Sequence, residues 1–407
     1  MKSIKGMVCV FSILFFIGCK ERQAKAIAVP ENGQVEAKTE RPAELKLPIE
    51  VNPLGEYEKK TLMLEEIADI EYIPLETSKD VLLSGMTNGI CMSDSLIVSK
   101  NREGSVYVFG RDGRLVSRFN HTGRGPGEYQ SIIHFTVDFD ADEIYIYDFM
   151  LHYKVYVYSL TGDLKRSFNV PARLWIEDFT DYDENNLLVY TRISEEAMEK
   201  HKGAFRPYYL MSKQNGTFKP LDLEVAEMKD GRLYMPYKVG NKNRARLAGF
   251  KRSPIIRNGG DFYISDFASD TIYTFNHRAL KPFIVCKPSL QRLEKSRFFE
   301  ISAKTARYTF LYLSGMNKEA VTFTRNRIAI DHKTGEIFEP DFQGSDFVKD
   351  INNFFCSLLP EYSIVPIPAL LLTDFYQKGK LTGKLKEIAS GLKEDSNPVL
   401  MLVKFRK

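Results

Sequence analysis

Two stretches of the chain carry the same pattern of alternating apolar and polar positions. The first runs from Leu96 to Phe119 and the second from Ile144 to Phe168. Each predicts a strand, a short turn, a strand, a glycine-containing turn and a further strand, because alternation of period two is typical of half-buried strands. The turn glycines Gly113 and Gly162 are 49 positions apart, a spacing typical of propeller blades.

Three further units, at 178–218, 253–275 and 320–336, follow the same scheme less regularly. A single small sheet leaves its faces and edges exposed, whereas radial packing in a closed ring covers them. We therefore predict an all-β fold, a six-bladed β-propeller with short helical insertions. An N-terminal strand at Ile67–Pro74 is expected to join the last blade beside the chain's final strand, Val399–Val403. Length alone permits six or seven blades, and the insertions favour six.

Two segments have helical rather than strand periodicity. From Leu381 to Leu392, apolar residues recur at helical spacing with charged residues between them, which predicts an amphipathic helix. Asn397 and Pro398 end this helix before the final strand. The segment from Leu290 to Ala306 is a second helix candidate, inserted between two units.

The N-terminus has the organisation of a signal peptide. Lys2 and Lys5 precede an apolar segment, Met7 to Ile17, that is too short to span a bilayer. The segment Phe16–Cys19, with a small residue before Cys19, resembles the lipobox of bacterial lipoproteins. That resemblance implies cleavage before Cys19 and acylation of its thiol, which makes membrane lipid the first expected partner. An ordinary secretory signal and a short buried helix are the alternatives.

The segment that follows the signal peptide is polar, contains proline and alanine, and lacks periodicity up to about residue 57. Such composition predicts a flexible tether. The expected organisation is therefore a lipoprotein signal peptide at 1–18, a lipidated N-terminus and tether at 19–57, and a propeller domain at 58–407.

Composition fits a globular domain and excludes some functions. The 21 Tyr and 28 Phe suit antiparallel strands. A net charge of +4 is too small to indicate a nucleic-acid partner. Beyond the signal peptide and Cys19, only Cys91, Cys286 and Cys356 remain. They permit at most one disulfide, and their wide spacing gives no support to a zinc site.

Three segments carry a family resemblance: Ile70–Thr77, Gly123–Tyr129 and the ending Asn397–Leu400. Together with the repeated strands they look like the six-bladed β-propeller lipoproteins of Bacteroidota, relatives of NHL-repeat propellers. The resemblance covers residues 60–407 and implies a propeller in the cell envelope, but no mechanism. In such lipoproteins an acidic block after the acylated cysteine accompanies surface exposure. Because none follows Cys19, we expect an outer-membrane anchor and a domain that faces the periplasm.

The glycine-rich loop Gly123–Tyr129 is the main candidate site. Its glycines allow a tight course with exposed N–H groups, and Arg124, Glu128 and Tyr129 offer a ligand donors, an acceptor and a stacking face. It is not a phosphate-binding P-loop, because Gly-Lys-Ser/Thr and a following helix are missing. In the alternative interpretation the loop is a blade connector, with Arg124 paired to Glu128 and Tyr129 packed into the neighbouring blade.

The remaining motifs favour binding over catalysis. The six histidines show no paired ligand spacing, so no metal ligand or cofactor is assigned, and neither Gly-x-Ser-x-Gly nor His-Glu-x-x-His occurs. We expect a ligand- or protein-binding module with an unidentified protein or glycan partner and no nucleic acid. The alternative is a metal-dependent propeller lyase or lactonase that acts on a sugar or peptide. The basic segment Lys238–Lys251 is a loop candidate for contact with anionic glycan or lipid headgroups, or a solvated face.

Overall fold

Strands account for most of the molecule. The structure, a computed structural model, describes residues 46–83, 89–150, 153–171, 174–192, 205–225, 232–239, 242–249, 254–258, 261–266, 269–290, 297–317, 322–346 and 362–406. Strands make up 55% of it and helices 8%, and six small sheets form a ring. The prediction of a six-bladed β-propeller is confirmed.

The N-terminal part of the domain supplies strands to three different blades. These strands are β1 (Ile49–Val51), β2 (Lys59–Met63) and β3 (Ala68–Pro74), with the one-turn helix α1 (Leu64–Ile67) before β3. Strand β3 belongs to the last blade, while β1 and β2 add an outer strand to blades 4 and 5.

Blades 1 to 3 are four-stranded antiparallel sheets whose strands follow one another in sequence order. Blade 1 contains β4 (Ile90–Met92), β5 (Leu96–Lys100), β6 (Ser105–Gly110) and β7 (Leu115–Asn120). Blade 2 contains β8 (His134–Asp138), β9 (Glu143–Asp148), β10 (Lys154–Ser159) and β11 (Leu164–Asn169). Blade 3 contains β12 (Trp175–Asp181), β13 (Asn186–Arg192), β14 (Tyr208–Ser212) and β15 (Phe218–Pro220).

A two-stranded hairpin, β16 (Arg232–Val239) and β17 (Lys242–Gly249), separates blades 3 and 4 in the chain. Blade 4 contains β18 (Ile255–Asn258), β19 (Asp261–Ile264), β20 (Thr271–Asn276) and β21 (Ala279–Cys286). Blade 5 contains β22 (Arg297–Lys304), β23 (Tyr308–Asn317), β24 (Thr322–Asp331) and β25 (Ile337–Gln343). Blade 6 comprises β26 (Tyr362–Ile367), β27 (Val399–Phe405) and β3, with helices α2 (Ala369–Gln377) and α3 (Gly383–Ser390) between β26 and β27.

Six hydrophobic cores lie between successive blades. Alternate residues of a middle strand serve different cores, because successive side chains point to opposite faces of a sheet. In β9, Ile144 and Ile146 pack with blade 1, whereas Tyr145 and Tyr147 pack with blade 3. The first strands of neighbouring blades contact one another, as β8 does with β12 and β18 with β22. These first strands therefore surround the axis of the ring.

The two ends of the domain close the ring as the sequence predicted. Strand β3 pairs with β27 in antiparallel register, which places Ile73 opposite Leu400. Both side chains enter the same core as Ile97 of blade 1. The final strand is buried from Val399 to Val403, as its continuous apolar sequence indicated.

The side chain of Asn397 stabilises this closure through hydrogen bonds. Its side-chain amide donates hydrogen bonds to the carbonyl oxygens of Glu76 (2.5 Å) and Val81 (2.7 Å), and its Oδ1 accepts one from the backbone N–H of Leu83 (2.8 Å). The side chain is buried. Asn397 thus ties the segment after β3 to the chain just before β27, more than 300 positions later in the sequence.

Two segments differ from what the sequence predicted. Part of the predicted tether is ordered, because β1 pairs in parallel with β21. The propeller domain therefore begins before residue 58. The helix expected at Leu290–Ala306 is wrong: Arg297–Lys304 is the first strand of blade 5. Strand β22 is buried on both faces, so its apolar run lacks the alternation that marks a half-buried strand. The C-terminal amphipathic helix is confirmed as α3.

Candidate functional site

The glycine-rich loop joins blade 1 to blade 2 and is held by its own backbone. The N–H of Gly123 donates to the carbonyl of Tyr129 (3.0 Å), and the N–H of Tyr129 donates to the carbonyl of His121 (3.1 Å). The carboxylate of Glu128 turns inward and accepts a hydrogen bond from the N–H of Gly125 (2.7 Å). A Cβ at position 123 would lie 1.9 Å from Oε2 of Glu128. A side chain at position 123 would therefore displace the Glu128 carboxylate from its place in the loop.

Tyr129 is fully buried in the core between blades 1 and 2. Its hydroxyl donates to the carbonyl of Gly104 (2.7 Å) and accepts from the N–H of His121 (3.2 Å). Its ring packs edge-on against Tyr158, and burial raises the pKa of its phenol to about 12. In this position Tyr129 supports the loop and presents no ring face to a ligand.

Arg124 is the exposed member of the predicted trio. Among the residues that the structure describes, its guanidinium has no hydrogen-bond or ion-pair partner, so the pair with Glu128 proposed in the connector interpretation is not formed. Gly127 contacts Leu164, and its carbonyl accepts a hydrogen bond from Tyr158. The loop thus rests on the outer strands of blade 2, with Arg124 free to contact another molecule.

A surface feature that we call the aromatic patch was missed by the sequence reasoning. It consists of the half-buried Phe149 and the exposed Met150, Tyr153 and Trp175. Trp175, the only tryptophan of the chain, opens β12 and is 41% exposed, and its ring lies 4.4 Å from that of Phe149. Met150 is 56% exposed. Apolar Phe and Met directly after the strand-ending Asp148, where a turn favours polar residues, are the signal that the sequence offered.

Hydrogen bonds hold the backbone of two residues of the patch, Met150 and Tyr153. Asp148 is buried, and its carboxylate accepts hydrogen bonds from the N–H groups of Met150 (2.8 Å) and Gln130 (2.7 Å). The second bond connects the turn to the end of the glycine-rich loop. Tyr153 has a positive φ of 49° and its carbonyl accepts from Val170 (2.7 Å). The backbone is therefore held at Met150 and at Tyr153, while Trp175 belongs to strand β12.

Charged side chains link blades 2, 3 and 4 where the first strands end. Lys213 is buried between Asp138 of β8 and Asp181 of β12, 2.6 Å from the latter. Burial alone would lower the pKa of Lys213, but the hydrogen bonds to the two carboxylates outweigh it and raise the pKa. Arg257 of β18 lies 3.4 Å from Asp181. These charges neutralise one another, which indicates a structural network.

Lys304 and His332 lie close together in blade 5. Burial lowers the pKa of Lys304 to about 8. Burial and the charge of Lys304 lower the pKa of His332 to about 4, and its Nε2 lies 2.7 Å from the hydroxyl of Thr309. His332 is therefore neutral at physiological pH. Within the described residues, no three His, Cys, Asp or Glu side chains converge as a metal site.

The cysteines and the basic segment singled out in the sequence are not among the residues of the aromatic patch or the glycine-rich loop. Cys19, the predicted acylation site, and Cys356 lie outside the described residues. Cys91 and Cys286 are free thiols, and burial raises the pKa of each to about 12. The basic segment predicted as a loop lies largely in the hairpin β16–β17. In the part of the chain that the structure covers, no helix has the length and apolar character needed to cross a bilayer.

Comparison with known families identifies the domain. Residues 49–404 match the family described as Domain of unknown function (DUF4934). The chain belongs to this family. The match begins at β1 and ends within β27, so the DUF4934 domain includes the N-terminal outer strands as well as the ring. None of the curated proteins matches the chain.

Three solved structures resemble the DUF4934 domain to different degrees. A protein of Bacteroides fragilis NCTC 9343, named for its inferred export, superposes with a TM-score of 0.63 at 18% identity, covering 86% of this chain and 100% of that one. BamB from Moraxella catarrhalis gives a TM-score of 0.36 at 11% identity over 67% of this chain and 78% of its own. The RRP9 WD40 repeats give 0.37 at 11% identity over 83% and 100%. The first of these neighbours shares the fold.

Proposed function

We propose that this protein is a lipid-anchored propeller of the cell envelope that binds a ligand or partner protein through the aromatic patch. The exposed ring of Trp175, which packs on the half-buried Phe149, carries the proposal. A tryptophan at the surface leaves a large apolar ring in water, and such residues are enriched at the centres of binding interfaces. Asp148 holds the backbone at Met150, and Trp175 packs on Phe149, so these side chains would lose little freedom on binding.

Position supports this assignment. Trp175 begins the first strand of blade 3, and the first strands surround the axis of the ring. Ligand sites in closed β folds are commonly formed by such strand ends and turns, with a few polar groups beside an apolar surface. Arg192, the cross-strand partner of Trp175, and Glu177 lie 3.4 Å apart beside the patch. This ion pair places charge beside the apolar rings, which suits an amphipathic ligand such as a peptide or glycan.

The glycine-rich loop contributes Arg124 in this proposal. Glu128 and Tyr129 hold the loop, and Arg124 is its exposed charge. The contact between Gln130 and Asp148 joins the loop to the turn of the aromatic patch. A partner that covers Trp175 and extends towards blade 1 would meet Arg124.

The envelope location rests on the sequence of the N-terminus. The basic, apolar and small-residue order up to Cys19 supports export and acylation, and two or more acyl chains would give stable anchoring. The export named for the Bacteroides fragilis neighbour agrees with this location. Mass spectrometry of the protein from its native membranes is expected to show an N-terminal peptide that begins at acylated Cys19. An unmodified peptide that begins elsewhere would refute the anchor.

Binding is tested by photo-crosslinking in intact cells. A photoreactive amino acid replaces Trp175 in one variant and Val116, an exposed residue of β7 in blade 1, in the matched control. We expect a discrete adduct from position 175 and none from position 116, and the adduct mass distinguishes a protein from a glycan. If both positions give the same adducts, or neither gives any, the aromatic patch is not a binding site.

A further inference from the structure

The hairpin β16–β17 lies in the most basic part of the chain. Residues 231–260 contain eight basic residues and no acidic one, although the whole chain has a net charge of only +4. Five of the eight lie in the hairpin: Arg232, Lys238, Lys242, Arg244 and Arg246. Such a concentration favours contact with an anionic surface.

The pairing register sorts the hairpin residues onto two faces. Met235 pairs with Arg246, Tyr237 with Arg244, and Val239 with Lys242. Cross-strand partners share a face, and residues two apart along a strand do so as well. One face of the hairpin, the basic–apolar face, therefore combines an apolar row in β16 with a basic row in β17. Its members are Leu233, Met235, Tyr237, Val239, Lys242, Arg244, Arg246 and Ala248.

Within the described residues, β16 and β17 pair only with each other. An isolated two-stranded hairpin is marginally stable in water and needs packing on one face. An anionic bilayer offers what this face requires, because phosphate groups attract the basic row and the interfacial region accommodates the apolar row. A soluble polyanion would engage only the basic row and leave the apolar row in water. We propose that the basic–apolar face docks on an anionic phospholipid surface.

Hydrogen exchange of the full-length protein tests this docking. The purified chain is mixed with vesicles of phosphatidylcholine alone or with phosphatidylglycerol, and exchange is followed in peptides that cover 232–249. We expect slower exchange only with phosphatidylglycerol, and loss of the effect in high salt. The comparison is made at the hairpin itself, so it does not depend on the aromatic patch. Repeating it with Cys19→Ser separates docking from acylation.

Variants identify the residues responsible. Each basic residue near an anionic leaflet strengthens attraction roughly fivefold, so Lys242→Ser, Arg244→Ser and Arg246→Ser together are expected to weaken docking by roughly a hundredfold and abolish the slowing. Met235→Ser with Tyr237→Ser is expected to reduce it as well. The matched control, Lys333→Ser, Lys384→Ser and Lys386→Ser, removes the same charge from exposed sites in blade 5 and α3 and should retain the full effect.

Three outcomes would overturn the proposal. Equal exchange with both vesicle types would show that no anionic lipid contact forms. Equal slowing by dextran sulfate would show that charge alone is recognised and that the partner is a soluble polyanion. Retention of the slowing in the triple hairpin variant, with its far-ultraviolet circular dichroism unchanged, would place the lipid contact elsewhere in the chain.

Discussion

Gly162 lies directly against the ring of Phe119 in the neighbouring blade: a Cβ at position 162 would stand 2.6 Å from the Cγ of Phe119. The same relationship recurs around the ring. The turn glycine of blade 1, Gly113, contacts the end of β3, and that of blade 3, Gly216, contacts Phe168 at the end of β11. In each case, the glycine between the third and fourth strands of one blade packs against the end of the outer strand of the preceding blade. Phe119 and Phe168 end the two sequence repeats because each fills this contact.

Gly162→Ala is therefore expected to destabilise the protein by about 2–4 kcal/mol, from a positive φ of 97° and the clash with Phe119. Gly379→Ala is the matched control, because Gly379 also has a positive φ (65°) but no atom within 4 Å of the added Cβ. Gly379→Ala should lower the free energy of unfolding by only about 1 kcal/mol. Urea unfolding measures both. Equal losses in the two variants would show that the interblade contact contributes nothing beyond backbone strain.

Asn397→Asp tests the closure of the ring. The substitution keeps the shape of the side chain but removes the donors to the carbonyls of Glu76 and Val81, so a half-buried and a buried acceptor lose their partner. We expect a loss of about 2–4 kcal/mol and faster unfolding. Asn120→Asp is the control, because Asn120 also donates to a carbonyl, that of Glu103, but is exposed. If it costs as much as Asn397→Asp, burial of the closure is not the cause.

Removal of Lys213 should expose the cost of an unpaired buried charge. Lys213→Met leaves the buried Asp138 without its cation and Asp181 with only Arg257 at 3.4 Å, and we expect a loss of about 3–5 kcal/mol. Lys165→Met is the comparison, since Lys165 pairs with Glu143 at 3.4 Å but is one-third exposed, and it should cost less than about 1 kcal/mol. Adding Asp138→Asn and Asp181→Asn to Lys213→Met should recover part of the stability. If this triple variant is no more stable than Lys213→Met, the uncompensated charge is not the cause of the lost stability.

His332 predicts a pH dependence of stability. Its pKa in the folded protein is lowered from 6.5 to about 4 by burial and by the charge of Lys304. Between these values the unfolded chain binds more protons, so this contribution to stability is complete above pH 6.5, declines as the pH falls, and is gone below pH 4. His332→Gln should flatten thermal stability over that interval, whereas His277→Asn, at an exposed residue, should leave the profile unchanged. An unaltered profile in His332→Gln would contradict the assignment.

Arg124→Ala separates binding from folding in the glycine-rich loop. With no partner among the described residues, its loss should change the free energy of unfolding by less than about 0.5 kcal/mol. If Arg124 contacts the partner of the aromatic patch, the adduct yield from position 175 should fall. Arg114→Ala, at a residue whose side chain is 85% exposed in blade 1, should leave the yield unchanged. A sharply lower melting temperature for Arg124→Ala would instead make the side chain structural.

The candidate sites show where sequence reasoning stopped. The loop 123–129 was found because its glycine density is local, but the burial of Tyr129 depends on packing against blade 2. The exposure of Trp175 was not predicted, because the sequence does not show which side chains lie around the start of a strand. In the structure Trp175 opens the first strand of blade 3 and remains 41% exposed.

Most strands of blades 1 and 2 and the final strand were predictable from the sequence alone. Alternation of apolar residues and glycine turns are set within a few residues of chain, so Leu96–Phe119, Ile144–Phe168 and Val399–Val403 were predictable. Contacts between distant segments determine that β1 and β2 extend blades 4 and 5, that Arg297–Lys304 is a strand, and which side chains remain exposed. These outcomes depend on which blade lies beside each segment, and that is settled by packing between residues far apart in the chain.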